Sequence, residues 1–259
     1  ENIDSRKIEQ YLLQGGDPWF YEACRRAQVA HPDISLPDFL IIFPMMQKGV
    51  FMINGGTSFS EIDGFPLDGT NPMDLTKITL RGRQRANELC EYIFKEQIAG
   101  AEHCRIRMTA AYPGVRETRR IVGEYILSEQ DMVAGKRFAD TIALAGRHFD
   151  LARRQKSKVI DGESLQEFAA DNHLGGSVAC IPYRSLIPKG SRNILAAGRC
   201  ISADGQALGP ARIMSTCMAV GQAAGTAAYL SIKEKKDFID VNVVELQTIL
   251  RLNNAIIDA

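Results

Sequence analysis

The chain has 259 residues, 45% of them hydrophobic and 24% charged. That is the composition of a globular protein with one large or two small cores, and it excludes the disordered and fibrous classes. Lys and Arg together number 31, as do Asp and Glu, so no overall field draws the protein to nucleic acid or to an anionic membrane, and a small-molecule substrate is the better-matched partner.

Residues 4–14 place Ile8, Leu12 and Leu13 on one face and end at Gly15 and Gly16, the pattern of a short amphipathic helix. Asp17 and Pro18 then read as the start of a second helix through Ala30, closed by His31 and Pro32. Two apolar β-forming runs, 39–43 and 50–53, predict a strand pair. Residues 54–71, rich in Gly, Ser, Asp and Pro, predict a long irregular loop of the kind that lines binding sites. A long helix is expected over 75–98. Strands are expected at 105–111 and 121–127, and Ser128 followed by Glu129 and Asp131 reads as a capped helical turn. The basic stretch 147–158 is a solvated charge run or, less simply, an anion site. The longest apolar runs, such as residues 39–46, fall far short of the roughly 20 residues that a bilayer-spanning helix requires.

Six cysteines include no Cys-x-x-Cys pair. Buried free thiols are the plain reading, which favours a reducing, cytoplasmic setting. The sequence opens on Glu1 with neither a basic nor an apolar leader region, so it reads as a fragment or a processed product. A hydrolase finds no support: there is no Gly-x-Ser-x-Gly, no metal-ligand cluster and no triad.

The most informative stretch is 193–225. An expected strand at 193–197 runs into Gly198 and Arg199, and after a loop Gly209 and Pro210 are expected to start a long helix through Ile232, followed by a terminal helix at 241–252. Glycine at a strand end permits positive φ and lets a ligand lie against bare backbone. Proline in the first turn would leave the amides of residues 211–213 free at the positive end of the helix dipole, where an anion is stabilised. Ser215, Ala219, Gly221, Ala223, Ala224, Gly225, Ala227 and Ala228 keep this helix thin, either for a ligand or simply for close packing on a sheet or another helix.

The string Ile181-Pro182-Tyr183-Arg184-Ser185-Leu186-Ile187-Pro188-Lys189-Gly190, continuing through Ala197-Gly198-Arg199-Cys200-Ile201-Ser202 to Met218-Ala219-Val220-Gly221-Gln222-Ala223-Ala224-Gly225, resembles the terminal motif of the FAD-dependent oxidoreductase family. A second string, from Pro113 through Arg116-Glu117-Thr118-Arg119-Arg120 to Tyr125, with Leu127, Asp131 and Arg137-Phe138-Ala139-Asp140, is similar to that family's arginine-rich segment, as are Asp74-Leu75-Thr76 and Arg81-Gly82-Arg83. The resemblance implies an α/β (mixed α+β) flavoprotein of the FAD/NAD(P)-binding type. A substrate domain with a mixed sheet would occupy residues 1–190, and a returning strand and helix of the FAD-binding domain, plus a terminal helix, residues 191–259.

It also implies FAD as cofactor, with Gly198, Arg199, Ile213, Met214 and Ser215 against the flavin, whose reduced form is an anion suited to a helix tip. Arg116 and Arg120, with Arg119 beside them, are the candidates to orient an anionic substrate or to flank the flavin, since a guanidinium offers a planar donor fork; structural ion pairs with Glu117 and Glu124 are the plain alternative. Tyr183 and Arg184 are candidates to face the substrate, a core tyrosine being the duller reading. No residue presents itself as a catalytic base, because the flavin carries the chemistry.

One departure from the family pattern stands out: none of the 259 residues falls in a Gly-x-Gly-x-x-Gly, the loop that cradles the dinucleotide pyrophosphate. FAD binding by this chain alone is therefore expected to be weak unless a complementing nucleotide-binding segment or a homo-oligomer supplies what is missing. The competing reading is a non-catalytic binding or assembly module that has lost its nucleotide-binding half.

Overall fold

The computed structural model describes residues 1–54, 61–62, 65–146 and 178–258. They form two compact units, Glu1–Val115 and Arg116–Ala259, each with its own buried core. The functional division expected at 190/191 thus falls inside the second unit.

In the first unit, α1 (Ser5–Leu13) begins where the Asp4 carboxylate accepts the Arg6 N–H at 3.1 Å, and it ends in Gly15 at φ +84°. The Asp17 carboxylate takes the backbone N–H groups of Trp19 and Tyr21 and so starts α2 (Tyr21–Ala30). The expected strand pair is present as β1 (Ile41–Pro44) and β2 (Phe51–Asn54), antiparallel, with Ile41 opposite Asn54 and Pro44 opposite Phe51. The first strand runs one residue beyond the expected 39–43, to Pro44; an outer position in a two-stranded ladder leaves room for a residue without an N–H. Within the expected 54–71 loop, β3 (Glu61–Ile62) and β4 (Phe65–Pro66) form a minimal antiparallel ladder.

The long helix is α3 (Pro72–Glu88), capped by Asn71, whose side chain accepts the Met73 N–H at 2.9 Å, with Pro72 in its first turn. It continues as a π-helical segment, Leu89–Lys95, which delivers Leu89, Cys90, Ile93 and Phe94 to the core beside Cys24, Ala27 and Leu40.

In the second unit, Ser128 and Asp131 close a capping box at the start of α4 (Glu129–Val133), as the sequence suggests. β5 (Thr141–Ala145) pairs antiparallel with β6 (Ala179–Pro182), with an irregularity between Thr141 and Ala143. Helix α5 is one short turn (Leu208–Ala211), α6 (Met214–Glu234) packs on β5, and α7 (Val243–Leu252) packs on α6. Gln247 of α7 donates to the carbonyls of Ala139 and Thr141, both at 2.9 Å, tying the terminal helix to the start of β5.

Several strands expected from sequence are absent. Residues 105–111 have no ladder partner and 193–197 form no strand; in the latter the Ala196 N–H reaches the Leu186 carbonyl at 2.8 Å. Residues 121–127 are not a ladder strand either, because they run between two irregular segments and bond to each in turn. Glu124 and Tyr125 donate to the carbonyls of Ile187 and Arg184, while Ile121 and Leu127 donate to those of Cys200 and Ser202. The result is two isolated bridges, Gly123 with Pro188 and Leu127 with Ala203. β-branched content sets extendedness, but a ladder needs a partner in register. The architecture is mixed helix and small sheets, consistent with α/β; the ladders among the described residues have two strands each. The basic stretch 147–158 lies outside the described residues.

Candidate functional site

The residues expected to meet a flavin lie together at one end of α6. Gly198 begins a single 3-10 turn, Gly198–Cys200, at φ +70°, a left-handed conformation that favours glycine. A Cβ placed there would lie 3.9 Å from Cys217 Sγ, so the turn rests on the first turns of α6. Arg199 is exposed, and its charge acts on the Cys217 thiol: burial pushes that thiol up, and Arg199 pulls against it.

The helix start differs from the expected one. Pro210 and Ala211 are buried in α5, and the Arg212 N–H is already bonded to the Leu208 carbonyl at 2.9 Å, so the amides of 211–213 do not form the exposed tip. The backbone breaks at Ile213 (ψ 144°), and the long helix starts one residue later. The first intrahelical bond beyond that break runs from the Cys217 N–H to the Ile213 carbonyl at 2.8 Å. No side chain among the described residues caps this end. Met214 and Ser215 are exposed whereas Thr216 is buried, so the uncapped start is presented to solvent at residues 214 and 215. Ile213, Met214 and Ser215 are therefore at the tip as expected, and Pro210 is displaced from it by the intervening turn.

The arginine-rich segment is tied to the same place. Residues 116–120 are exposed, and the next residue, Ile121, donates to the Cys200 carbonyl at 3.0 Å, which brings Arg120 beside the residue that follows Arg199. The Arg120 guanidinium passes close to Gly205, where an added Cβ would stand 3.9 Å from its Nη1. Arg116 and Arg119 share this exposed stretch.

Tyr183 and Arg184 lie on the other side of the 121–127 segment. Tyr183 is fully buried, and its hydroxyl donates to the Phe238 carbonyl at 2.9 Å; burial pushes its ionisation up. The Arg184 guanidinium is held by Asp140 through Nε–Oδ2 (2.9 Å) and Nη2–Oδ1 (3.2 Å) and lies 5.2 Å from the Tyr125 ring centroid. Around that ring a compact network forms. Tyr125 donates to Asp131 at 2.7 Å, and Lys136 donates to Asp131 at 2.7 Å and to the Tyr125 hydroxyl at 2.8 Å. Burial, joined by the Asp131 charge, pushes the Tyr125 phenol up.

Sequence reasoning missed the pairing roles of Asp140 and Lys136. Asp140 stands one residue before β5, a position at which a buried carboxylate has to find a cation, but sequence separation alone does not name Arg184. Two clefts in the first unit, of about 460 and 470 Å³, are lined by residues around Ile3 and Gly49 and around Ser35 and Glu88; the second includes Arg81, and neither includes any of the flavin or substrate candidates. Among the described residues no group of three or more His, Cys, Asp or Glu side chains is placed to hold a metal ion, and no helix is long and apolar enough to cross a membrane.

An uncapped helix start beside an exposed guanidinium and a glycine in the left-handed region is a donor set matched to an anionic, planar edge. A family model for FAD dependent oxidoreductases matches residues 6–250, and the chain belongs to that family. Searches of curated proteins and of solved structures gave no match.

Proposed function

We propose that the chain forms the substrate-side portion of an FAD-dependent oxidoreductase, with residues Gly198, Arg199, Ile213, Met214 and Ser215 against the pyrimidine edge of the flavin and Arg116 and Arg120 orienting a small substrate. The observation that carries this reading is the packing of the Arg199 turn against the first turns of α6, whose start at Met214 and Ser215 is uncapped and exposed. FAD, when bound, supplies the two-electron chemistry. The protein's part is to bind and to orient: amides and guanidinium stabilise negative charge, and Gly198 permits close approach. The Tyr125–Asp131–Lys136 network and the Arg184–Asp140 pair brace the 121–127 segment from behind, which fixes where the arginine-rich stretch emerges.

Titration of FAD into the purified chain tests the reading. Binding should be loose, seen as a perturbed flavin absorption band that is lost on gel filtration, because no glycine-rich loop holds the pyrophosphate. Arg199→Ala should weaken it about tenfold. An unperturbed band at saturating FAD would sink the flavin assignment, and tight stoichiometric binding would sink the argument from the missing loop.

A second reading, an assembly module, is favoured by one feature: Met214, Met218, Tyr229 and Ile232 are exposed along α6. Covered by a second copy or by a complementing nucleotide-binding segment, this stripe would leave water. Sedimentation of the chain at high concentration discriminates, a strict monomer counting against self-association.

A further inference from the structure

Cys90 and Cys104 approach each other inside the core of the first unit. Their sulfurs are 3.5 Å apart, and each sulfur also reaches toward the other's backbone carbonyl, at 3.9 and 4.0 Å, so the two residues face one another along their backbones as well. Both are buried, with 8% and 5% of their surfaces exposed. Cys90 sits in the π-helical segment, a rare geometry that concentrates at functional positions. Cys104 follows the turn closed by the Ala101 N–H on the Ile98 carbonyl. Apolar Leu89, Ile93, Ile98 and Ala101 share this core with them, and the Lys95 ammonium and the chain's N-terminal ammonium act on the Cys104 thiol by charge; the 3.5 Å separation makes each sulfur a direct partner of the other.

We propose that Cys90 and Cys104 are a redox pair that hydrogen peroxide converts to an intramolecular disulfide. One thiol, as its thiolate, attacks a peroxide oxygen; the O–O bond breaks, leaving a sulfenic acid and a hydroxide that takes up a proton to become water. The second sulfur then attacks the sulfenic sulfur, the S–O bond breaks, and the hydroxyl leaves as a second water with the remaining thiol proton. Two thiols lose two electrons in all, and one peroxide gains them. Closing the gap from contact to bond requires the sulfurs to approach to about 2 Å. Cys104 is held up at about 12 by burial first and by its bond to Cys90 second. The reaction is therefore slow in the closed core and proceeds as the segment opens.

The chain carries its own references: Cys200 is an exposed thiol and Cys24 a buried one. Purified full-length chain, reduced and then incubated with excess hydrogen peroxide until Cys200 is fully oxidised, is denatured, labelled with maleimide and mapped by mass spectrometry. The expected result, beyond the loss of the exposed Cys200 label, is that Cys90 and Cys104 lose theirs together and are recovered as one cross-linked peptide, lighter by two hydrogens and restored by dithiothreitol, while Cys24 stays reduced. In Cys104→Ser, Cys90 should reach sulfinic acid and lose its recovery by dithiothreitol. The proposal is overturned if Cys90 and Cys104 remain as labelled as Cys24, if they over-oxidise singly, or if either is linked to a different cysteine. The mapping on the unaltered chain decides the matter even should the variant fail to fold.

Discussion

Arg184 is bound three times to Asp140: its guanidinium makes two of the contacts, and its own backbone N–H makes the third, to Oδ2 at 3.1 Å. Asp140 is buried while the guanidinium is half in solvent, so the two ends of the pair are not equivalent. Removing the carboxylate strands a backbone N–H and a cation; removing the guanidinium leaves the carboxylate one partner.

Asp140→Ala should therefore cost about 1–2 kcal/mol, and Arg184→Ala about half that after allowing for solvent screening at the exposed end. Urea melts of the two variants check the order. Equal stability to the unaltered chain in both would mean that the pair is not structural and would return Arg184 to the list of free substrate ligands.

Gly123 lies where a side chain has no room. An added Cβ would stand 2.8 Å from Ser202 Cβ and 3.0 Å from the Ile187 carbonyl oxygen, and both neighbours belong to the segments that the 121–127 stretch joins. Gly123→Ala should destabilise the second unit by about 1–3 kcal/mol through overpacking. Ser202→Ala, which removes a buried hydroxyl that has no hydrogen-bond partner among the described residues, should be neutral or mildly stabilising. Thermal melts should show Gly123→Ala lowered and Ser202→Ala unchanged or raised; a Ser202→Ala melt lowered as far as that of Gly123→Ala would contradict this.

Gly198→Val combines a bulky β-branched side chain with φ +70°. The backbone strain should cost roughly 1–3 kcal/mol, and flavin binding should fall further than stability explains. Comparing FAD titrations of Gly198→Val and Gly123→Ala separates the two effects: if both lose flavin in proportion to stability, Gly198 has no special part in binding.

Burial opposes ionisation of Asp131, but the hydrogen bonds from Lys136, Tyr125 and Ser128 outweigh it and hold the carboxyl below its usual range. The unfolded chain then binds the proton more readily than the folded one. This contribution to stability is complete above about pH 4 and is lost as the pH falls through the lower, folded value. Asp131→Asn should be less stable at neutral pH by about 1 kcal/mol and should show a shallower acid dependence in urea melts. Parallel pH profiles for the two proteins would refute the assignment.

Much of this molecule was legible in its residues where the signal is local. Asp4, Asp17 and Ser128 stand where helix starts were expected, and Ser128 adds the reciprocal bond to Asp131, whereas the Asn71 cap was missed and the helix expected only from residue 75. The 121–127 and 193–197 strands failed for the opposite reason: an extended apolar run does not reveal whether a partner lies alongside it in register. Pro210 misled in a third way, because a proline suits the first turn of any helix, and here that helix is the short α5, not the long α6. The cluster of Gly198, Arg199 and residues 213–215 was nonetheless readable, since it depends on a glycine and a helix start that survive a shift of a few positions. The Asp140–Arg184 pair was not, being a contact across 44 positions of chain.

In the π-helical segment Leu89–Lys95 each backbone bond spans five residues instead of four. A codon lost from this stretch could be absorbed by winding on as ordinary α-helix, leaving Ile98 and the turn behind it on the inward side. The same deletion made within α3 would swing everything downstream by about 100° around the axis. Length variation among homologous genes in this region should accordingly concentrate between Leu89 and Lys95.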